Sequence, residues 1–524
     1  MPEGRPSGSG DWWGSIPSLP TNKTSQGRGF RVSRSPATRP CSPSDVGMIQ
    51  RPEMSRSAGR RAGKKTETQT CDFLIVGGGQ AGIPLAQHLA KAGHRVALAE
   101  RRHLGGSCVN FGCTPTKAVI ASARAAFQAR RGAVFGLRIP TVEVDFPAVL
   151  DRARSILMQS RASLRRGFEQ SDNPRLLRGH ARFTGRRDGD FHVKVGDQTI
   201  LARQVVLDTG TRTGRPDVEG LDKVPYLEAG NWLDHPELPD HVVFIGGGYI
   251  ALEMGQFYCR MGSRVTIVDP AGSALDQEDP DVVLLLQRLL EAEGLQFRLG
   301  SRATRVEAGR RGVTVHVETD GHADAIRGTH LFVAAGRQPN TDDLGLKTVG
   351  VKLRKDGIVE TDERLATSVP GIWAAGDIRG GPMFTHTAWD DFRVLQSQLT
   401  GDGSRTIRRV VPYAIYTDPE LGRVGMTEGQ ARAAGVRVKI GRFEMRDNGK
   451  ARELSETQGS VKVVVDATTD LVLGAAVLSA EGSELVHIFV ALMNAKAPYS
   501  VLRDSIQIHP TLSEGVQSAV ASFE

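Results

Sequence analysis

From about residue 71 the chain takes on a repeating texture. Short apolar runs that end on glycine or on an acid alternate with longer stretches in which apolar residues recur every three or four positions. The first example is CDFLIVGGGQAGIPLAQHLAKAGHRVALAE. Residues 73–76 predict a buried strand, the glycines a turn, and the following residues to about Ala92 an amphipathic helix. Residues 95–99 predict a second strand, which ends on Glu100. The pattern returns in HVVFIGGGYIALEMGQFYCRMGSRVTIVD: strand, glycine turn, helix, and a strand closing on Asp269.

Each unit has the spacing of a dinucleotide-binding loop. In the first, Gly77 permits the tight turn, Gly79 lets backbone N–H groups approach a pyrophosphate, and Gly82 lets the helix pack on the strand. Glu100 is placed to accept hydrogen bonds from a ribose diol. In the second, Gly246 and Gly248 repeat the pattern, Ala251 stands in the third position, and Asp269 is the terminal acid. A glycine-rich turn in an ordinary α/β unit would explain a lone triplet. It does not explain two units with both strands, the helix and the acid, about 170 residues apart. They predict two nucleotides held face to face.

Three shorter segments share the rhythm: VVLDTG (205–210), LFVAAG (331–336) and GIWAAGD (371–377). The first two read as strands whose turns carry the chain between domains, with Gly336 in the second turn assigned to the nucleotide. The third ends on Asp377, an acid placed to bind a polyol or ribityl hydroxyl. From about Val410 strands and helices alternate without a glycine-rich loop, which predicts a separate α+β domain.

The net charge of +8 is misleading. Residues 1–70 hold twelve Lys/Arg against five Asp/Glu, a net +7, which leaves the rest of the chain near +1. The body therefore offers no electrostatic case for nucleic acid. The basic segment is rich in Ser, Gly, Pro and Arg and is expected to be a disordered tail. It has no apolar core of a secretory signal. A solvated extension, or a start nearer Met48 or Met54, is preferred to a transit peptide. No apolar run reaches the ~18–20 residues that span a bilayer, so no membrane partner and a cytoplasmic location are expected.

The five cysteines are Cys41, Cys71, Cys108, Cys113 and Cys259. An odd, sparse set is not a secreted disulfide framework. Two of them stand five apart in GGSCVNFGCTPTK, directly after the first nucleotide unit. That spacing is wrong for a zinc knuckle and no second pair exists, so no metal site is expected. Both could be small buried residues. Against that, Lys117 follows Cys113 by four positions, on the same helical face. A nearby cation and a helix N-terminus both favour thiolate. Cys259 reads as a structural thiol.

With these motifs in place, the chain from about Asp72 onward resembles the class I pyridine nucleotide–disulfide oxidoreductases, the family of dihydrolipoamide dehydrogenase, glutathione reductase and mercuric reductase. The resemblance implies two Rossmann-like domains, for FAD and NAD, and a C-terminal α+β dimerisation domain. The expected boundaries are 71–216 for FAD, 217–341 for NAD(P), 342–405 for a central FAD segment and 406–524 for dimerisation. It implies a redox-active disulfide in which Cys108 is the interchange thiol and Cys113 the charge-transfer thiol beside the flavin. Lys117 and Glu253, in YIALE, resemble the ion pair near flavin N5. Asp377 resembles the ribityl-binding acid, and His386 lies in a segment whose helix N-terminus faces the flavin. His509 and Glu514, in HPTLSE, resemble the acid–base dyad that reaches across a homodimer to the partner's cysteines.

Within that family, the C-terminus SEGVQSAVASFE lacks the cysteine pair of mercuric reductases. The soft-metal handoff has no thiolates to use, which disfavours Hg(II). The sequence resembles instead a mercuric reductase-like branch that acts on another acceptor, a small molecule or a metal ion. Dihydrolipoamide dehydrogenase is the alternative, alone or docked in a multienzyme assembly. A flavoprotein redox sensor is the alternative of another class. Asp269 repels a 2′-phosphate, and PAGSALDQED brings no Lys or Arg, so NADH is expected over NADPH. Ala251 is the one feature that points the other way.

Overall fold

The computed structural model describes residues 68–310 and 312–523. Residues 1–67, with Cys41 and nearly all of the expected tail, lie outside the described residues. The last three residues assigned to that tail are not tail. They open the first strand, Thr68–Val76, where Thr68, Gln69 and Thr70 pair with Thr199, Ile200 and Leu201. Their polar side chains hid the strand from a hydrophobicity reading, but the long partner strand offers them backbone hydrogen bonds all the same.

That strand is central in a sheet whose parallel core runs Arg175–Arg178, Val96–Glu100, Thr68–Val76, Gln198–Leu207. The last of these is ten residues long and forks. Its first half pairs with an antiparallel hairpin, Asp190–Val195 and Ala181–Arg187. Its second half pairs in parallel with Ile372–Ala374. The register aligns the strand ends: Val76 lies beside Ala99 and Leu207, and Leu207 lies beside Ala374. The residues just beyond are Gly77, Glu100, Asp208 and the Gly376–Asp377 pair. Ligands in open parallel sheets bind at that edge, and three of the four strand ends are followed there by an acid.

A second parallel sheet runs Leu295–Leu299, Arg264–Asp269, His241–Ile245, His330–Val333. An antiparallel three-stranded sheet, Ser301–Gly309, Gly312–Thr319 and His322–Gly328, follows it in the chain. The two chain crossings between the parallel sheets lie side by side as a short antiparallel ribbon, Thr211–Thr213 with Arg337–Pro339. Residues 342–405 do not stand apart from the first sheet: Leu344, Leu346, Val351, Val359 and Ile378 share its core with Leu74, Val205 and Leu207. The C-terminal part holds a five-stranded antiparallel sheet, from Pro412–Ile415 to Val472–Ser479, flanked by helices. Two of these helices, Gly482–Leu485 and His487–Ala495, follow the strand Val472–Ser479 directly.

What positions the site is the packing of the helix Cys113–Arg130 against the helix Tyr249–Met261. Ala118, Val119 and Ala123 of the first helix and Leu252, Phe257 and Tyr258 of the second belong to one core cluster. Small residues on the first helix let the aromatic side chains of the second fill the space. Phe257 is 1 % exposed, and cutting it to alanine would cost about 3–5 kcal/mol. The seam joins the first nucleotide unit to the second.

Candidate active site

The first glycine loop is built by steric necessity. Gly77 has φ +110°, and a Cβ there would lie 2.2 Å from the Asp208 carbonyl oxygen. A Cβ on Gly82 would lie 2.3 Å from the Gly77 carbonyl oxygen, so the helix Gly82–Lys91 could not start so close to the strand. Glu100 accepts from the Gly78 N–H at 2.9 Å and from the Arg102 N–H at 2.6 Å. The second loop matches it: Gly246 has φ +107°, and Asp269 accepts from the Gly247 N–H at 2.5 Å and the Ala271 N–H at 2.7 Å.

A cavity of about 920 Å³ runs from the first loop to the cysteines. Of the residues singled out in the sequence, it gathers Gly77, Gly79, Glu100, Cys108, Cys113, Lys117, Glu253, Asp377 and His386 on its wall. Gly82 stands behind the loop. Gly246, Gly248, Ala251, Asp269 and Gly336 are not on that wall, although their neighbours Tyr249, Ile250 and Arg337 are. His509 and Glu514 are not on it either.

Cys108 lies in the short helix Gly106–Asn110, and Cys113 is the first residue of the helix Cys113–Arg130. Both are thiols in this structure. Buried Asn110 fixes the turn between them: its Nδ2 donates to the carbonyls of Leu104 at 3.0 Å and Gly106 at 2.7 Å, and its Oδ1 accepts from Arg161. The Trp232 indole N–H donates to the Phe111 carbonyl at 3.3 Å.

The two thiols divide one role unequally. The contact with Cys113, followed by burial, raises the Cys108 pKa. The Cys108 S–H bond lowers the Cys113 pKa, against burial and with help from Lys117 and Thr385. The surroundings thus favour negative charge on Cys113 over Cys108. Its Sγ is 3.2 Å from the Thr385 hydroxyl, at the start of the helix Thr385–Thr400. Cys71 is buried, which pushes its thiol up to about 12, and Cys259 donates to the Glu293 carbonyl. Neither joins the pair.

Lys117 Nζ is 2.7 Å from Glu253 Oε2. The other oxygen of Glu253 accepts from the Tyr416 N–H at 2.9 Å, and the Tyr416 ring centroid is 4.5 Å from Lys117 Nζ. Burial alone would lower the Lys117 pKa, but the Glu253 and Cys113 charges outweigh it and the net shift is upward. Asp377 Oδ2 accepts from the Thr211 hydroxyl at 2.9 Å. The His386 Nε2 is 2.6 Å from the Pro412 carbonyl, and its ring stacks on Phe384. That histidine lines the cavity while its Nε2 serves the main chain.

His509 Nδ1 is 2.9 Å from Glu514 Oε1, and Glu514 Oε2 accepts from the Thr511 N–H at 2.8 Å. That backbone bond, then His509, holds Glu514 below its ordinary value. The imidazole is 77 % exposed.

The sequence reading missed Asp208, Thr385, Tyr416 and Trp232. Asp208 could have been found, because it follows an apolar run as Asp377 does. The other three carry no local signal: they become neighbours of the cysteines only through the fold. Among the described residues no group of three or more His, Cys, Asp or Glu is placed to hold a metal ion.

The family model for pyridine nucleotide-disulphide oxidoreductases matches residues 71–391, and that of the family's dimerisation domain matches residues 411–520. The chain belongs to the pyridine nucleotide-disulphide oxidoreductase family. It is 33 % identical over 448 residues to the probable pyridine nucleotide-disulfide oxidoreductase RclA of Escherichia coli, covering 84 % of this chain and 97 % of that one. It is 32 % identical over 467 residues to the dihydrolipoyl dehydrogenase of Cupriavidus necator, covering 86 % and 98 %. A solved structure of the E. coli protein, titled as a Cu(II) complex of an HOCl-induced flavoprotein disulfide reductase, superposes with a TM-score of 0.78. It is 31 % identical and covers 86 % of this chain and 99 % of that one.

The cofactors of this oxidoreductase family are FAD and a pyridine nucleotide, as the two loops lead one to expect. The residues present fit them. The first loop is a glycine turn packed too closely on Asp208, Leu104 and its own backbone to admit a Cβ, it opens on a cavity at the upper end of the ~300–1,000 Å³ of ligand sites, and Glu100 and Asp377 flank it with acceptors for hydroxyl groups. No helix of the described residues is long and apolar enough to cross a membrane.

Proposed function

We propose that this chain is an NADH-driven flavoprotein disulfide reductase of the mercuric reductase-like branch, without the C-terminal cysteine pair. Cys108 and Cys113 form its exchangeable disulfide, and two chains share each site. The observation that carries the reading is the placement of both cysteines, Lys117 and Glu253 on one cavity wall continuous with the first glycine loop.

FAD supplies two-electron transfer between the nicotinamide and the disulfide. The protein supplies charge and protons. When the Cys108–Cys113 bond takes up two electrons, two thiolates form. Cys113 keeps its charge, because the N-terminus of its helix, Lys117 and the Thr385 hydroxyl all favour it. Cys108, whose surroundings disfavour the anion, takes a proton. His509 of the partner subunit would be the donor, with Glu514 setting its tautomer. For a disulfide acceptor, deprotonated Cys108 attacks one sulfur and the leaving thiolate takes the proton. Cys113 then attacks the Cys108 sulfur, expels the second thiolate, which takes its proton from solvent, and restores the disulfide.

Glu253 keeps Lys117 charged and holds it against the cysteines. The exposed dyad beside Ile506, 100 % exposed, and Ile508, 79 % exposed, suits a surface that a second chain covers. Asp269, with both oxygens on backbone N–H groups and no cation among its partners, suits a ribose diol and repels a 2′-phosphate. A second reading, dihydrolipoyl dehydrogenase, is favoured by the His509–Glu514 geometry and by relatives of that name.

Anaerobic titration of the purified protein with NADH tests the reading. A long-wavelength thiolate-to-flavin absorption band after two electrons, absent in Cys113→Ser, is the expected result. Bleaching of the flavin with no such band would take the cysteines out of the relay. Assays with lipoamide and with Cu(II) then separate the two readings.

A further inference from the structure

Asp208 directly follows the strand Gln198–Leu207 and is 6 % exposed. Its carboxyl group fills the space between two glycine turns. A Cβ on Gly79 would lie 2.5 Å from Oδ2, and one on Gly376 would lie 2.9 Å from Oδ1. Oδ2 accepts from the Gly82 N–H at 2.7 Å, at the start of the nucleotide-loop helix. Oδ1 has no protein hydrogen bond among the described residues, and Asp208 lines the cavity.

The charged groups that act on it most strongly are acidic: Asp377 and Asp391 from the segment that follows Ile372–Ala374, and Glu100 from the neighbouring strand. Asp391 is compensated by Arg379 and Arg409, Asp377 has Arg337 at 3.8 Å, and Glu100 is capped by two backbone N–H groups. Each of these cations and N–H groups is engaged by a carboxylate other than Asp208. The loop and helix start are an anion seat, suited to a pyrophosphate. An ionised Asp208 would set a carboxylate in the floor of that seat.

We propose that Asp208 holds the dinucleotide as a carboxylic acid. Oδ1–H donates to an oxygen of the bound nucleotide where a carboxylate would repel it, and above the pKa of Asp208 in the FAD-free protein the proton is taken from solvent when FAD docks. Burial raises the carboxyl pKa well above its ordinary range, and Asp377, Asp391 and Glu100 add to that against the Gly82 hydrogen bond, so the proton is held at little cost. The proposal rests on the FAD reading and is independent of the acceptor and the thiols.

The sign follows from linkage. The bound state holds one more proton, so rising pH opposes binding. Above the pKa of Asp208 in the FAD-free protein, the dissociation constant rises about tenfold per pH unit. The experiment is retention of flavin by the purified full-length holoenzyme on dilution, read as released flavin fluorescence from about pH 6 to about pH 9. Wild type is expected to lose FAD as the pH rises. Asp208→Asn, which keeps an acceptor for Gly82 and supplies a permanent donor, is expected to hold FAD with no such dependence. The infrared carbonyl stretch of a protonated carboxyl in the wild-type holoenzyme gives a second readout that needs no variant. A flavin-containing protein with a flat retention profile, the same profile in Asp208→Asn, or no protonated carboxyl band would each overturn the proposal. A protein that takes up no FAD at any pH would overturn the cofactor reading beneath it.

Discussion

Lys117 and Glu253 lie 136 residues apart in the chain and 2.7 Å apart in the fold. One belongs to the helix Cys113–Arg130, which follows the first nucleotide unit, and the other to the helix Tyr249–Met261, which starts at the second loop. Their pairing ties together the two halves of the molecule that would bind different nucleotides. Glu253 is 3 % exposed, and its two oxygens meet Lys117 and the Tyr416 N–H. Removing one partner of such a pair leaves a buried charge uncompensated. Lys117→Met should therefore destabilise the protein by about 3 kcal/mol, and Glu253→Gln by less, because the amide still accepts from Tyr416. Chemical denaturation of the two variants checks the order. Equal losses would mean that the charge of the pair does not matter.

The same lysine acts on Cys113. The Cys108 S–H bond, then Lys117 and Thr385, bring the Cys113 pKa below that of an ordinary thiol. A group with a lowered pKa keeps its charge to lower pH and loses it only on acidification. In the two-electron-reduced enzyme, the thiolate absorption band should persist at neutral pH and fade as the pH drops. Lys117→Met and Thr385→Val should each move that fading to higher pH. An unmoved midpoint in Lys117→Met would show that the lysine charge does not reach the thiolate.

Much of this site is written in short stretches of sequence. The two glycine loops, Glu100, Asp269 and the closely spaced cysteines are local patterns, because a turn, a strand end and a helix start each leave a mark within a few residues. Asp377 is local too, as the acid that follows 371–376. The limits were also local. Residues 68–70 form a strand without an apolar pattern, and the antiparallel strands beside each parallel sheet carry no distinctive motif. Thr385, Tyr416 and Trp232 approach the cysteines from 119 to 303 positions away, by the numbers of Trp232, Tyr416 and Cys113. Only packing could show them. The Lys117–Glu253 pair was named from family resemblance, since neither residue alone reveals the other.

Asp269 should set the choice of nicotinamide. Its oxygens are held by the N–H groups of Gly247 and Ala271. Against a 2′-phosphate this fixed carboxylate is a like charge at close range. Asp269→Ser should improve kcat/KM for NADPH by about tenfold, equal to about 1.4 kcal/mol, and weaken NADH by a similar factor. Steady-state kinetics with both nucleotides decides it. A variant that loses both equally would place the acid in folding of the loop instead of discrimination.

The His509–Glu514 dyad is formed within one chain, yet it does not line the cavity that holds that chain's cysteines. If it serves the partner's cysteines, His509→Ala should leave reduction of the flavin by NADH intact and slow the acceptor step by about 10²–10⁴-fold. Mixing two inactive chains gives a sharper readout. One carries Cys113→Ser with an intact dyad, and the other carries His509→Ala with intact cysteines. Neither homodimer has a complete site. A mixed dimer has one, made of the cysteines of the second chain and the dyad of the first. After random reassortment half the dimers are mixed, each with one working site of two, so about a quarter of wild-type activity should return. A dyad that acted within its own chain could give no such recovery, because neither chain holds both parts. Recovery on subunit exchange would therefore make the dimer, and not the single chain, the catalytic unit.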